Sequence, residues 1–582
     1  MKTKFLCLCL SIMMLMALLT GCAAKEKTLD DMADQEVRQT KTLVLYLMSE
    51  EKVSARVTAE IEDEINKLTK AKFKTQLDIH YFTEDEYYTE LEKKFKGKET
   101  ENKKAEKELN DKRKKEKWLR ESCKQAGISY IPATTPAPST EITEEATLVN
   151  EEYGTIEYVY PEPKENQVDF FYVGGYDKYN NYIDEEWIAS LDEELATSSK
   201  KLKEHIPALY MNALSKAGIY GIPNNSIIGE YTWMLLDKKL MDRYFFTEDS
   251  INNYTDDNYY KVLSDIYKYE TDYLPIKGAP EILNVYYWTI DGETKRLTNQ
   301  PSVLAGFYDN SSNIGYNLSV NTIFHSTSFR TQITTMKKLE LAGYYGTEAD
   351  QDKPFASAFI KGGYDIYEQY SEDYYVKMLA RPRADYDDIY GNMFCVSALE
   401  DSVARSMEIV TYINTNATVR NILQYGIEDE NYYIDDYGVL HRYNDTYMMD
   451  INKTGNVFMA HPEEGLPEDF WDVGVRQNAD AYMVPTFGFQ IDFDAAVDTE
   501  KIKKFQDMYP EYMAQLDACK SVEEIDAVFA TALAAFAEKD SELNKDYNFV
   551  KNTSYLAKDD NDPLPVATMY MQWLIDNGYF KV

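Results

Sequence analysis

The chain has few of the residues that build metal centres and disulfide frameworks. Its 582 residues include six cysteines and five histidines. The three cysteines beyond residue 22, at positions 123, 395 and 519, are far apart and odd in number, so we expect no disulfide framework. The histidines form no H-E-x-x-H pattern, and none stands near a cysteine at zinc-site spacing. We therefore expect no bound metal ion and no cofactor.

Positive charge is also scarce. Sixty-two Lys and Arg stand against 100 Asp and Glu, which gives a formal net charge of −38. Binding to nucleic acid needs clustered cations that neutralise phosphates, so the balance argues against a nucleic-acid partner. Flat docking on an anionic bilayer is disfavoured for the same reason, so we expect a lipid to hold the protein there.

Catalytic signatures are missing as well. The sequence has no G-x-S-x-G elbow and no P-loop. Among 100 acidic residues a neighbouring carboxylate pair arises by chance, so no glycosidase acid and base can be assigned. The segment Lys558 to Leu564 lacks the glycine and distal glutamate of a calcium loop and is interpreted as a solvated turn. No catalytic residue is nominated, which favours a binding protein over an enzyme.

The one long apolar run stands at the N-terminus. Lys2 and Lys4 precede about fifteen apolar residues, a length typical of a signal-peptide core and short for a membrane span. Leu19-Thr20-Gly21-Cys22 resembles the bacterial lipobox, in which the cysteine thiol receives a diacylglycerol and the chain is cut before it. We interpret residues 1–21 as a signal peptide, Cys22 as the lipidation site and 22–40 as a tether. An ordinary signal peptide or an N-terminal membrane anchor is the alternative.

The folded part opens with a β-α-β pattern. The run from Thr40 to Met48 predicts a strand, and Val57, Ile61, Ile65 and Leu68 recur at helical spacing before an alternating segment at 74–82. This order is typical of a parallel α/β sheet. Near the C-terminus, Ser521 followed by Glu524 predicts a capping box at a helix start.

An unusual segment interrupts this pattern at 97–165. Residues 97–124 are almost all charged with mixed signs, which predicts a solvated helix, and a linker rich in Pro, Thr and Glu follows. The segment could be a partner-binding arm or a tolerated surface excursion. We favour the excursion and expect it to leave the core untouched.

Four stretches, at 168–195, 217–244, 391–435 and 482–497, carry a family resemblance. They include "VDFFYVGGYDKYNNYIDEEWIASLDEEL", "AGIYGIPNNSIIGEYTWMLLDKKLMDRY", "GNMFCVSALEDSVARSMEIV" and "YMVPTFGFQIDFDAAV". In this order, and with the lipobox, they resemble the family-1 extracellular solute-binding lipoproteins of bacterial ABC importers. Two departures stand out: Leu399-Glu400-Asp401 replaces the family's S-x-N-P-E pattern, and Asp429 stands where the family has a glycine after Y-G-I-E.

The resemblance implies an α/β, two-lobed, periplasmic-binding-protein-like type II fold with a ligand cleft between the lobes. The first lobe would comprise 41–223, with the insertion at 97–165, and 386–455. The second would comprise 224–385 and 456–582, including the C-terminal helices.

The same resemblance implies a function. The protein would capture an extracellular solute, with a carbohydrate or oligosaccharide preferred, and deliver it to the permease of an ABC importer. It would be a monomer, held by its lipid on the extracellular face of the cell membrane. A lipid-anchored glycan-processing enzyme and a surface sensor or adhesion protein are the alternatives.

Candidate ligand-binding residues follow from where strands end, because ligands of open α/β sheets lie beyond the carboxyl ends of strands. Aromatic faces and side-chain amides or carboxylates suit sugar C–H surfaces and hydroxyls. With 49 tyrosines in the chain, a core or surface role is the alternative for each aromatic, and turn chemistry is the alternative for the asparagines. On this ground the candidates are Tyr176, Asp177, Asn224, Asn225, Glu230 and Tyr231. The resemblance adds Tyr364, in the stretch 355–367 that is similar to the family's ligand-contacting strand and loop of the second lobe, and Phe487, in the stretch at 482–497.

Overall fold

The structure is a computed structural model that describes residues 39–125, 148–150, 155–214, 218–291, 296–307, 320–347, 350, 352–483, 486–551 and 565–576. Several sequence-based interpretations fall outside the described residues. These are the signal peptide at 1–21, the lipidation site Cys22, the tether up to residue 38, parts of the 97–165 segment and the turn at 558–564.

The first sheet is built from the N-terminal third of the chain and one returning strand. Its strands are arranged in the order β2-β1-β5-β17-β6. β1, β2 and β5 are parallel, whereas β17 runs antiparallel to β5 and β6. The elements up to the end of this part are β1 (Lys41–Ser49), α1 (Ala55–Phe73), β2 (Thr75–Thr83), α2 (Glu84–Gln125), β3 (Leu148–Asn150), β4 (Thr155–Glu157), β5 (Phe170–Val173), α3 (Tyr176–Asp184), α4 (Asp192–Ala196), α5 (Ala208–Leu214) and β6 (Gly221–Pro223), and the returning strand is β17 (Met393–Val396).

The predicted β-α-β opening is present. Residues 42–49 of β1 are buried, as expected for a strand covered on both faces. Ser54 caps α1 by accepting a hydrogen bond from the backbone N–H of Val57, and Lys74 ends the helix in the left-handed region.

The second sheet follows the first crossing. Its order is β15-β7-β14-β8, with β7 antiparallel to both β14 and β15. The elements of this part are β7 (Tyr231–Asp237), α6 (Lys238–Arg243), α7 (Asp257–Tyr269), β8 (Leu274–Lys277), β9 (Val285–Tyr287), β10 (Thr289–Asp291), β11 (Arg296–Thr298), β12 (Leu304–Phe307), β13 (Asn321–Thr322), α8 (Thr327–Leu341), β14 (Phe355–Gly362), α9 (Asp365–Tyr370) and β15 (Tyr374–Ala380).

The chain then returns to the first sheet through β17 and ends in a group of helices. β16 pairs in parallel with β20, so the two late crossings run side by side. The remaining elements are β16 (Arg383–Ala384), α10 (Tyr386–Tyr390), α11 (Val403–Thr415), α12 (Ala417–Tyr425), β18 (Tyr432–Ile434), β19 (Leu440–Arg442), α13 (Phe470–Asp480), β20 (Tyr482–Met483), α14 (Thr499–Ala518), α15 (Val522–Ala537), α16 (Glu542–Val550) and α17 (Val566–Asp576).

Two sheets, each with its own strand order, are thus joined by chain segments that cross between them. The expected α/β, two-lobed fold of the periplasmic-binding-protein-like type II class is confirmed. The lobe boundaries given above remain predictions. Within the part of the chain that the structure describes, no helix is long and apolar enough to cross a membrane.

The charged segment at 97–165 begins inside a helix that starts earlier. α2 starts at Glu84, directly after β2, and its first turns pack on the first lobe. There the ring centres of Phe95 and Phe171 lie 5.1 Å apart. Lys98 forms a buried ion pair with Glu400 at 2.8 Å, and the Trp187 indole N–H donates to Glu99 at 2.7 Å. The expectation that this segment leaves the core untouched is therefore wrong for its first turns.

Three sequence features take a defined local structure: the two departures from the family pattern and the predicted capping box. Asp429 adopts φ 67°, so an aspartate takes the left-handed conformation at the position where the family has a glycine, which its short polar side chain tolerates. Glu400, in the other departure, is the partner of Lys98. At the predicted capping box, Ser521 does accept from the Glu524 N–H at 3.3 Å, but the Glu524 carboxylate accepts from the N–H of Lys520 at 2.6 Å.

Candidate functional site

The carboxyl end of β5 opens the candidate site. Gly175, at φ 98°, lies in the left-handed region that favours glycine, and its N–H donates to the carbonyl of Tyr390 at 2.8 Å. A Cβ on Gly174 would lie 2.7 Å from the Tyr172 hydroxyl. This sharp turn starts α3 at Tyr176, so Tyr176 and Asp177 project from the end of the sheet.

Tyr176 meets aromatic rings from two distant parts of the chain. Its ring centre lies 4.7 Å from that of Tyr386 and 4.9 Å from that of Tyr390, both edge-to-face. Phe487 stacks on Tyr386 at 4.5 Å and 25° and is 3% exposed. We call Tyr176, Tyr386, Tyr390, Phe487 and Arg296 the tyrosine–arginine cluster.

Arg296 completes this cluster from β11. Its guanidinium lies 4.4 Å from the ring centre of Tyr176 and 4.3 Å from that of Tyr386, which makes cation–π contacts with both. A guanidinium nitrogen lies 3.7 Å from Asp177. The Nε atom is buried without a hydrogen-bond partner among the described residues. Arg296 therefore links the end of β5 to the β10–β11 hairpin through ring stacking more than through hydrogen bonds.

Polar groups surround the cluster. The Gln490 amide donates to the Tyr176 hydroxyl, and the Gly488 N–H donates to the Tyr386 hydroxyl at 2.8 Å. Burial raises the pKa of Asp387 above its usual range and that of Asp388 to about 6. The site thus combines aromatic faces with amides, hydroxyls and carboxylates, which can pack on an apolar surface and hydrogen-bond its polar edges.

A second aromatic group lies on the second sheet. Tyr231 stacks on Trp233 at 4.7 Å and 29°, and Tyr364 lies edge-to-face with both at 6.2–6.3 Å. Tyr367 adds a ring at 5.3 Å from Tyr364 and is 40% exposed. Tyr231 is fully buried and donates to Asp480 at 2.7 Å, whereas Tyr364 is half-buried. The accessible part of this group is therefore Tyr364 with Tyr367.

The two candidate asparagines lie within the first crossing. Asn224 donates to the carbonyl of Asn452 at 2.8 Å, and Asn225 donates to the carbonyl of His205 at 2.9 Å. Both side chains are buried, and both carbonyl oxygens lack hydrogen-bond partners among the described residues. Their amide groups hold the crossing segment against neighbouring loops.

Glu230 is exposed and lines a separate cavity of about 230 Å³ at the start of β7. Arg381, Arg383 and Asp385 line the same cavity. Charged and apolar side chains both line this cavity, and none of the lining residues belongs to the two aromatic groups described above, apart from Tyr231's chain neighbours Glu230 and Thr232.

The eight candidates therefore fall into four places. Tyr176, Asp177 and Phe487 come together, Tyr231 and Tyr364 form a second group, the asparagines lie in the crossing, and Glu230 lies apart. Whether these residues contact a ligand remains a prediction.

Four residues that lie at Tyr176 were not among the sequence-based candidates. Tyr386 and Tyr390 follow a crossing strand in a short "DYDDIY" motif, which could have nominated them, and Gln490 stands three residues after Phe487 in the stretch at 482–497. Arg296 carries no local signal, because long-range folding alone brings it to Tyr176. Among the described residues, no group of three or more His, Cys, Asp or Glu is arranged to hold a metal ion.

Comparison with known proteins gives matches among solved structures only. No protein-family model and no curated protein matches the chain. The N-glycan transport solute-binding protein NgtS of Streptococcus pneumoniae is 15% identical, with a TM-score of 0.49, over 92% of this chain and 100% of its own. An extracellular solute-binding protein of Bifidobacterium longum subsp. infantis is 11% identical, with a TM-score of 0.41, over 93% and 99%.

A family-1 extracellular solute-binding protein of Alicyclobacillus acidocaldarius is 9% identical, with a TM-score of 0.37, over 85% of this chain and 98% of its own. The matching structures are thus extracellular solute-binding proteins, the group that the sequence motifs resemble. The fold stated above rests on the chain's own strand order, and the site rests on its own residues.

Proposed function

We propose that this chain is a substrate-binding lipoprotein that captures an extracellular carbohydrate and delivers it to an ABC importer. One observation carries the proposal: Tyr176 and Asp177, at the carboxyl end of β5, meet side chains from β11, from the return crossing and from the late stretch. A solute bound there would touch segments on both sides of the crossings.

The side chains at this place suit a sugar. A pyranose ring presents C–H faces that pack on aromatic rings and hydroxyls that pair with amides and carboxylates. Tyr176, Asp177 and Gln490 offer these groups together, since Gln490 and Asp177 are exposed and Tyr176 is half-buried. Tyr364 and Tyr367 offer a second aromatic surface, which would suit a ligand of more than one sugar unit.

The architecture supplies a mechanism for capture. Two lobes joined by crossing segments can open and close about those segments. A ligand that contacts both lobes shifts the population towards the closed form, because only that form makes both sets of contacts. The closed form is the shape that a permease would distinguish from the empty protein.

The proposed lipid on Cys22 would complete the delivery. It would hold the protein on the extracellular face of the membrane and raise its effective concentration at the permease. In this proposal the protein acts as a monomer, and its other partners are the solute, the permease subunits and the membrane.

A stability screen tests the proposal. Purified protein is heated with members of an oligosaccharide and peptide library, and a ligand at 100 times its dissociation constant should add about 2.7 kcal/mol to stability. An oligosaccharide hit that is recovered unchanged supports the proposal. A library in which only peptides stabilise the protein contradicts the carbohydrate assignment.

Two alternatives to a transport function, an enzyme and a sensor or adhesion protein, predict different experimental results. A lipid-anchored glycan-processing enzyme would convert a labelled oligosaccharide into product, which a binding protein would not do. A surface sensor or adhesion protein would bind its ligand while deletion of the importer's permease left uptake of that ligand unchanged.

A further inference from the structure

The distal half of α2 carries a net positive charge, whereas the chain as a whole is strongly acidic. Residues 102–125 contain ten Lys or Arg and five Asp or Glu, in a chain whose formal net charge is −38. The densest part is 112–117, where five of six residues are cationic, and Trp118 follows directly. We call residues 102–125 the basic arm.

The basic arm projects away from the first lobe. Just before the arm begins, the Asn166 amide donates a hydrogen bond to Glu101 at 2.6 Å. From residue 102 to Trp118 all side chains are exposed except that of Glu116, and Trp118 is 64% exposed. At 1.5 Å per residue, the helix carries Trp118 about 25 Å beyond Glu101. Lys107, Lys114 and Trp118, at helical spacings of seven and four, share one face.

The direction of the arm is set by the packing of α2. The helix begins at the carboxyl end of the sheet, where the Tyr88 hydroxyl donates to the Gly174 carbonyl. It reaches the opposite end at Lys98, which pairs with Glu400, and the adjacent Asp401 carbonyl accepts from Lys41 at the first residue of β1. The arm therefore leaves the body at the end where the chain enters from Cys22, and on the side opposite the candidate site.

The proposed lipidation site Cys22 and the basic arm could both reach a membrane that lies at that end of the first sheet. Eighteen residues lie between Cys22 and Lys41, and the nineteen steps from one residue to the other span at most about 68 Å in any conformation. A lipid on Cys22 would keep the start of β1 within that distance of the bilayer, and the arm extends about 25 Å from the same end of the first sheet.

We propose that the basic arm docks on the anionic phospholipid headgroups of the bilayer that carries the lipid. This inference rests on the proposed lipid anchor, and not on the identity of the solute. Clustered Lys and Arg are attracted by headgroup phosphates, and an exposed tryptophan suits the membrane interface. Trp118 lies about 25 Å along the helix from Glu101, which exceeds a Debye length of about 8–10 Å, so screening weakens the effect of negative charges near Glu101 on the end of the arm. Docking would keep the candidate site on the side of the protein that faces away from the membrane, towards the medium from which solutes arrive.

Vesicle binding tests the inference without the lipid. The mature chain, which begins at Cys22→Ser and lacks the apolar signal peptide at 1–21, is mixed with phosphatidylcholine vesicles that either contain or lack phosphatidylglycerol, and the bound fraction is measured by flotation. Binding should require phosphatidylglycerol and should fall at high salt. Each cationic side chain near such a surface contributes roughly fivefold, so combined Lys112→Glu, Lys114→Glu and Lys115→Glu changes should lower the partition coefficient by about a hundredfold.

A matched variant controls for net charge. Lys503 on α14, Lys539 in the turn between α15 and α16, and Lys545 on α16 are exposed, and reversing all three makes the same change in charge far along the chain from the arm. That variant should bind vesicles like the parent. Equal losses in both variants, or binding that ignores phosphatidylglycerol, would overturn the inference. So would capture by soluble polyphosphate with no binding to vesicles.

The solute screen separates this result from the proposed function. The arm variant should bind any solute hit as tightly as the parent, because the arm lies opposite the candidate site. Lost vesicle binding with intact solute binding therefore concerns the arm alone, and a failed solute screen leaves the vesicle result unaffected.

Discussion

The buried ion pair joins Lys98 on α2 to Glu400, which lies just beyond the end of β17, and its loss should lower the stability of the fold. The Lys98 ammonium lies 2.8 Å and 3.0 Å from the two Glu400 carboxylate oxygens, and the side chains are 11% and 8% exposed. Lys98→Met keeps the apolar stem but leaves the carboxylate buried without its cation. Breaking a buried pair in this way costs about 3–5 kcal/mol, so the free energy of unfolding at neutral pH should fall by that amount. Urea denaturation followed by tryptophan fluorescence measures it.

The pH dependence of that loss identifies its cause. Burial raises the pKa of the Glu400 carboxyl even though Lys98 opposes the shift, and removing Lys98 should raise it further. The folded variant then binds a proton more tightly than the unfolded chain does, so the loss should shrink as the pH falls through the raised pKa.

Two further variants control for packing. Adding Glu400→Gln to Lys98→Met should restore part of the stability at neutral pH. Lys103→Met, on the exposed part of the same helix, should change stability by less than about 0.5 kcal/mol. A loss in Lys98→Met that is small, independent of pH, or equal to that in Lys103→Met would refute the account of α2 as anchored in the core.

The remaining predictions concern the C-terminal helices, the cluster and the anchor. Burial raises the pKa of Asp498 to about 6, so the ionised carboxyl lowers the stability of the fold above that pH, and this cost disappears as the pH falls towards the pKa of the unfolded chain. Asp498→Asn should therefore raise the free energy of unfolding by about 1–3 kcal/mol at neutral pH, and the difference from the parent should disappear on acidification. Urea denaturation at two pH values measures both. Arg296→Met removes cation–π contacts with Tyr176 and Tyr386 and should lower the free energy of unfolding by about 1–3 kcal/mol in the same assay. Cys22→Ser should abolish both the incorporation of labelled fatty acid and the cleavage before residue 22; fatty-acid labelling of the variant equal to that of the parent would refute the lipobox interpretation.

Much of the fold follows from local sequence patterns. The β-α-β opening was predictable because β1 is apolar throughout and Val57, Ile61 and Ile65 recur at helical spacing. By contrast, nothing local indicates that β17 inserts between β5 and β6, since that pairing joins residues more than 170 positions apart. The family resemblance predicted a return of the chain to the first lobe at 386–455, but not this strand pairing.

The candidate site was harder to predict for the same physical reason. Tyr176 and Asp177 could be nominated because they follow a buried strand that ends in two glycines. Arg296 could not, because a lone arginine on a short hairpin is indistinguishable by sequence from a surface residue. The partner of Lys98 was equally hidden, since the Lys98 side chain stands in a segment whose composition indicates full exposure.

Calorimetry on cleft variants tests the central claim most directly. A solute from the screen is titrated into the parent chain, Tyr176→Ala, Tyr364→Ala and Tyr437→Ala, the last at a tyrosine that is 73% exposed and far along the chain from either aromatic group. We expect saturable binding of an oligosaccharide by the parent, a loss of about 1–3 kcal/mol in the first two variants, and parent-like affinity in the third. If Tyr176→Ala and Tyr364→Ala bind as tightly as the parent, the solute does not bind at these aromatic groups and the proposed site is wrong.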